Sequence, residues 1–274
     1  MKKAFQILFA SALVFAGPAG AQDQMPIFDA HPHYNWEPQP YYPLDKVLEI
    51  FRRNNVSGIL ATSRPNDGTR ALVEAKPKGL WVVPFIRPYR VRADMQTWHN
   101  DPSIYELVED EYKRGYYRGI GEFHVYGQAA ANETAAKIVR FAAEHDLYLH
   151  AHCDDTALEI LFAHDPRTKI IWAHTGFSTP PARVKELLDR YPSLSGELSY
   201  RSGITEAGGK LAAEWSELFA RYSERFLLGS DTWINERWFG YDNIMRAYRG
   251  WLAQLPKEQA ERIAYRNAER LFRR

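Results

Sequence analysis

His31 and His33 stand one residue apart, and Asp29 precedes the first of them by two. Alone, such a pair is an ordinary feature of a polar loop. This chain adds Glu122 and His124, then His150 and His152, then His174, and finally Asp231 in the triplet "GSD". Neutral imidazole nitrogens and carboxylate oxygens are the usual donors to zinc and related divalent ions. Four histidines and an aspartate can hold one ion and leave a position for water. Glu122 could add a ligand or bridge to a second ion. Of the nine histidines, only His99, His145 and His164 fall outside this series.

Such a set does chemistry only if the fold gathers it. Short β-rich runs alternate along the chain with segments of helical spacing. The runs are "PIFDAHPHY", "SGILATS", "WVVPFIRPY", "RGIGEFHVYG", "LYLHAHCD", "KIIWAHTGF", "LSGELSYR" and "FLLGSDTW". Between them, Leu44, Val47, Leu48 and Phe51 share one helical face, as do Ala135, Ile138, Val139 and Ala142. Pro180 and Pro181 suit a helix start, and Asn132 and Asp154 or Asp155 suit N-caps. Eight strand–helix units predict a parallel (β/α)8 barrel, in which catalytic residues sit at the carboxyl ends of the strands. The competing architecture is an open doubly wound sheet, but no G-x-G-x-x-G follows the first run. Side chains at i and i+2 of a strand share a face. His31 with His33, Glu122 with His124, and His150 with His152 should therefore point alike, toward one rim.

The remaining features bound the class. "MKK", an apolar run and the small residues Ala19, Gly20 and Ala21 form a signal-peptide pattern over residues 1–21. An uncleaved anchor is the alternative, but the run is short for a span of ~20 apolar residues. Residues 22–274 are then expected to be one exported, secreted or periplasmic domain without stable membrane insertion. Losing Lys2 and Lys3 moves the formal charge from +1 to −1, which gives no support for a nucleic-acid partner. Cys153 is the only cysteine, so no disulfide can form within the chain.

The ordered motifs "FDAHPH", "GIGEFH", "LHAHCDD", "IIWAHTGF" and "LLGSDTW", with the closing "IAYRNAERLF", resemble the amidohydrolase superfamily. The resemblance is to its amidohydrolase 2 branch, with TatD-like features. It implies a (β/α)8 barrel and a divalent metal, Zn2+ first and Mn2+ as another option, present as one ion or two. It implies His31, His33, His174 and Asp231 as ligands. His152 is implied as the ligand from the fifth strand, with His150 as the alternate, and Glu122 stands where TatD-type enzymes carry a metal-binding glutamate. No lysine lies near that run, which argues against a carbamylated lysine bridge.

On that reading the ion lowers the pKa of water from ~15.7 to ~7. Asp231 would take the water's proton and pass it to the leaving group, and His174 would ligate or polarise a carbonyl. His124 and His150 are candidates for orienting the ligands, and Asp29 for holding an imidazole tautomer. Arg87 and Arg90, with Tyr200 and Arg201, could bind an anionic small-molecule substrate. Ordinary salt bridges to residues such as Glu197 or Asp94 are the rival reading of these arginines. Trp233, Trp238 and Tyr241 could line a pocket or simply pack the last loop. The leading function is a hydrolase of a small lactone, ester, amide or phosphoester. A decarboxylase of the same superfamily, a TatD-like nuclease and a non-catalytic metal carrier are the alternatives.

Overall fold

The computed structural model describes residues 24–37 and 41–273. The expected signal peptide, residues 1–21, lies outside the described residues. Eight strands follow in chain order: β1 Ile27–Asp29, β2 Val56–Ala61, β3 Trp81–Ile86, β4 Gly119–Val125, β5 Tyr148–Cys153, β6 Lys169–Trp172, β7 Leu194–Glu197 and β8 Phe226–Leu227. Each pairs in parallel with the next, so sheet order equals chain order. Asp29 bridges to Leu228, and the Ala30 N–H donates to the Leu228 carbonyl at 2.7 Å, which brings β8 back to β1. With helices between the strands, this is the expected (β/α)8 barrel.

The helices form where the spacing predicts. Leu44–Arg53 buries Val47, Ile50 and Phe51, and Glu133–Glu144 buries Ile138, Val139 and Ala142. Pro181 is the first residue of Pro181–Arg190. Asp154 caps Asp155–His164 by accepting from the Ala157 N–H at 2.7 Å. No described helix is long and apolar enough to cross a membrane.

Strand alternation divides the core into two layers. Phe28, Leu60, Val83, Phe85, Ile171 and Leu227 fill the barrel interior. Their neighbours Ile27, Ile59, Ala61, Ile86 and Ile170 pack outward against the helices. The amino-terminal end of the barrel is plugged by Phe272, whose ring centre lies 5.9 Å from those of Phe28 and Phe85 and 5.3 Å from that of Tyr148. The opposite end is thereby left for polar residues on a rigid base.

Truncating a ring of the interior layer tests this base. Phe85→Ala should lose about 3–5 kcal/mol in urea unfolding, the usual cost of emptying a buried aromatic site. A loss below about 1 kcal/mol would mean the interior layer is not close-packed.

Candidate active site and metal centre

The carboxyl ends of the strands deliver the site. His31 and His33 lie just past β1, Glu122 and His124 near the end of β4, and His150 and His152 on β5. His174 follows β6, and Asp231 follows β8. Gly121 pairs with His150 but Phe123 with Ala151, so Glu122 is an extra residue in β4. Backbone strain is concentrated here. His174, Thr175, Phe177, Tyr200 and Asp231 hold φ values of 56°, 44°, 54°, 49° and 46°, a left-handed region that non-glycine residues seldom occupy.

Glu122 is the hub. Its Oε1 lies 2.8 Å from His152 Nδ1, 3.4 Å from His31 Nε2 and 3.5 Å from His174 Nε2. Its Oε2 lies 3.2 Å from His33 Nε2 and 3.1 Å from Arg87 Nη2. Asp231 Oδ1 approaches His33 Nε2 at 3.2 Å and His31 Nε2 at 3.8 Å.

The ring tautomers follow from what each outer nitrogen meets. His31 Nδ1 lies 2.7 Å from Glu197 Oε2, an acceptor only, so Nδ1 carries a proton and Nε2 is turned toward the cluster. His174 Nδ1 donates to the Ser199 carbonyl at 2.8 Å, which likewise turns its Nε2 toward the cluster. His33 differs. Its Nδ1 lies 2.6 Å from Arg87 Nη1, which can only donate, so its proton sits on Nε2 between Glu122 and Asp231. Thr62 Oγ1 also meets that Nδ1, at 2.5 Å.

Glu197, at the end of β7, is a site residue that sequence reasoning missed. It is fully buried, and besides His31 it accepts from the His174 N–H at 3.1 Å and the Ser199 N–H at 2.5 Å. It takes the role expected of Asp29. Asp29 touches no imidazole, because its carboxylate is consumed by the His31 and Ser230 N–H groups and by the Tyr241 hydroxyl, at 3.1, 2.8 and 2.7 Å. The glycine of "GSD" lets Glu197 approach, since a Cβ on Gly229 would lie 2.2 Å from Glu197 Oε1 and 2.5 Å from His31 Cβ.

The electrostatics suit a cation. Burial opposes ionisation of Glu122, Glu197 and Asp231, yet the surrounding imidazoles hold all three below the ordinary carboxylate range. Burial likewise disfavours a charged His31, but Glu197, Glu122 and Asp231 together push it well above its ordinary value. Three carboxylates outweigh the Arg87 guanidinium and a protonated His31, and once His31 yields its proton the excess is two negative charges, matched by a divalent cation. The donor set fits one. His31, His174 and Asp231 each offer a ligand atom, all within 4.8 Å of one another, and His31 Nε2 is a buried nitrogen with no hydrogen-bond partner. Glu122, His31 and His33 form a second such group, and Glu122, His124 and His152 a third. His150 lies deeper, fully buried, its ring centre 4.3 Å from that of His31; burial pushes it well below its ordinary value. His124 meets the Tyr89 hydroxyl at 3.1 Å, and burial pushes it down to about 3.

A cavity of about 350 Å3 opens over this cluster. Arg87, Tyr200 and Trp233 line it as expected, and Phe177, Arg64 and Arg92 join them. Two expected substrate contacts lie elsewhere. The Arg90 guanidinium turns away to Asp94 and Asp101, at 3.0 and 2.7 Å, and Arg201 lines a neighbouring cavity. Trp238 and Tyr241 are buried against Phe51, packing the last loop.

Glu197→Gln keeps the shape of the side chain and loses its charge. We expect divalent-metal affinity to fall about 10–100-fold, as for loss of a group that orients a metal-binding histidine, with the barrel still folded. Unchanged affinity by calorimetry would show that His31 needs no such anchor.

No curated protein matches the chain. A family model described as amidohydrolase matches residues 69–274. Among solved structures, a zinc-bound amidohydrolase from Burkholderia multivorans is 18% identical, with a TM-score of 0.59 over 89% of this chain and 98% of its own. A candidate 2-pyrone-4,6-dicarboxylic acid hydrolase from Pseudomonas putida is 15% identical, with a TM-score of 0.63 over 91% and 98%. A TatD homologue from Escherichia coli is 16% identical, with a TM-score of 0.62 over 90% and 97%. At these identities the structures share the fold. The family model covers most of the sequence, and on that ground the chain belongs to the amidohydrolase family.

Proposed function

We propose that the chain is a metal-dependent hydrolase that cleaves a lactone, ester, amide or phosphoester bond in a small molecule. The observation that carries this reading is the pair of Nε2 atoms of His31 and His174, turned toward Asp231 and the hub carboxylate Glu122. These four residues would hold the ion, with His152 beside Glu122 Oε1. Zinc is the first ion to test and manganese the second. A divalent ion bound there would polarise the scissile group and make water nucleophilic near neutral pH.

The chain's own residues then do the following. Asp231, kept ionised by His31 and His33, accepts the attacking water's proton at Oδ1 and returns it to the leaving group. His33, its proton on Nε2 and 3.2 Å away, holds that oxygen in place. Arg87 balances Glu122 from the side. Arg92, beside an Arg64 held by Glu37 at 3.0 Å, gives the cavity a cationic wall suited to a carboxylate or phosphate on the substrate. Phe177 and Trp233 add apolar lining that helps exclude water.

The same wall also suits a substrate that loses its carboxylate as carbon dioxide, so decarboxylation is the second reading. Metal-loaded protein assayed against lactone, ester, amide and phosphoester panels in isotopically labelled water separates the two. Hydrolysis places solvent oxygen in the organic product, whereas decarboxylation releases carbon dioxide and places none there. Asp231→Asn should lower kcat by about 10²–10⁴-fold, with the protein still folded. An unchanged kcat would remove Asp231 from proton transfer.

A further inference from the structure

A second cavity, of about 340 Å3, adjoins the first, and Tyr200 lines both. Two arginines face it, Arg201 and Arg237, with Tyr248 and Trp251 among its apolar walls. Arg201 is only 8% exposed. One of its nitrogens donates to the Thr179 carbonyl, while Nε and Nη1 have no partner. Its guanidinium carbon lies 4.9 Å from the ring centre of Trp215. Arg237 packs 4.2 Å from the ring centre of Tyr200 and donates to the Ser230 and Asp231 carbonyls at 2.6 and 3.3 Å.

Among the described residues, neither arginine pairs with a carboxylate. That sets them apart from Arg87, which meets Glu122, and from Arg183, which meets Asp155, Glu159 and Glu186. Burial pushes the Arg201 guanidinium down to about 10, with no neighbouring charge to offset it. It is still a cation at neutral pH. A buried cation with unmatched donors is costly, and side chains of this type are seldom buried unless paired.

We propose that this second cavity binds a small free oxyanion, a carboxylate or a phosphate, with Arg201 as its principal donor. The two orphaned nitrogens lie on different edges of the guanidinium, so each has a charge-assisted hydrogen bond to offer an oxyanion. The site is distinct from the cationic wall over the metal cluster and communicates with it. Arg237 grips the backbone carbonyl of Asp231, and Tyr200 is common to both cavities. An anion that draws on Arg237 therefore bears on the position of Asp231.

Inorganic phosphate is the probe, titrated into the full-length folded protein at constant ionic strength by calorimetry and by thermal melting. Wild type should bind saturably and melt at a higher temperature. Arg201→Met should bind about 10–100-fold more weakly, the usual worth of a charge-assisted hydrogen bond. Without phosphate it should melt no lower than wild type, because an unmatched buried charge has gone. Should that variant fail to fold, Arg201→Lys keeps the charge and loses the Nε and Nη1 donors, and must still bind more weakly. Arg64→Met weakens only what the first cavity binds and should leave the Arg201-dependent phosphate site intact. Absence of saturable binding, equal binding by wild type and the Arg201 variants, or loss of that site in Arg64→Met instead would overturn the proposal.

Discussion

Three carboxylates withdrawn from water around a single imidazole set the terms for everything at this end of the barrel. Glu122, Glu197 and Asp231 all lie within 4.0 Å of His31, and none could remain ionised there without positive charge nearby. Desolvation of a carboxylate is worth several kcal/mol, so the surroundings must supply partners. The protein's own answer is partial. Arg87 sits against Glu122 and the His33 ring, and His31 is driven toward its protonated form. A divalent ion would complete the balance and would take the Nε2 positions that Glu197 and Ser199 have turned toward the cluster, displacing the His31 proton. The same demand accounts for the left-handed backbone at His174 and Asp231, and for a glycine at 229 where any Cβ would collide with Glu197.

The barrel makes that arrangement stiff. Asp29 does not serve the imidazoles, yet it closes the seam where the sheet is thinnest. It ties β1 to the segment after β8 through Ser230 and to a buried tyrosine, Tyr241, through its hydroxyl. Below the site, the interlocked rings of Phe28, Phe85 and Phe272 leave no slack for the strand ends to drift. Binding and chemistry can then be divided by position. Strand ends hold the donors, and the arginines of the cavity wall come from the loops after β2 and β3.

Much of this was legible in the sequence because a parallel barrel converts strand order into ring order. Eight β-rich runs alternating with helical faces implied the fold, and polar residues at the ends of the runs implied one rim. The same rule applied to "LSGELSYR" would have pointed to Glu197. That residue was read instead as a salt-bridge partner for an arginine, and the sequence offers no sign that it faces His31 across the barrel. Asp29 was given the tautomer role because it shares a strand face with His31, but its real partners lie about two hundred positions away. Arg90 illustrates the opposite case. Its local Asp94, four residues on, was the simpler reading and is the contact observed. Arg64 and Arg92 were invisible because a loop's direction depends on the elements beneath it rather than on spacing. The different chemistry of His33 was also beyond reach, since it depends on a donor-only guanidinium from β3's end meeting that ring.

The central claim is that this cluster is short of one divalent cation and is built to take it. The direct measurement is calorimetric titration of zinc into chelator-treated protein in buffers of different ionisation enthalpy, which counts ions and protons together. The account predicts saturable binding with proton release near neutral pH, because His31 must give up the proton that its carboxylates retain. As pH rises through that elevated pKa, affinity should increase and the released proton should vanish. A folded protein that takes up no ion, or binds one with no proton released at any pH, would contradict it.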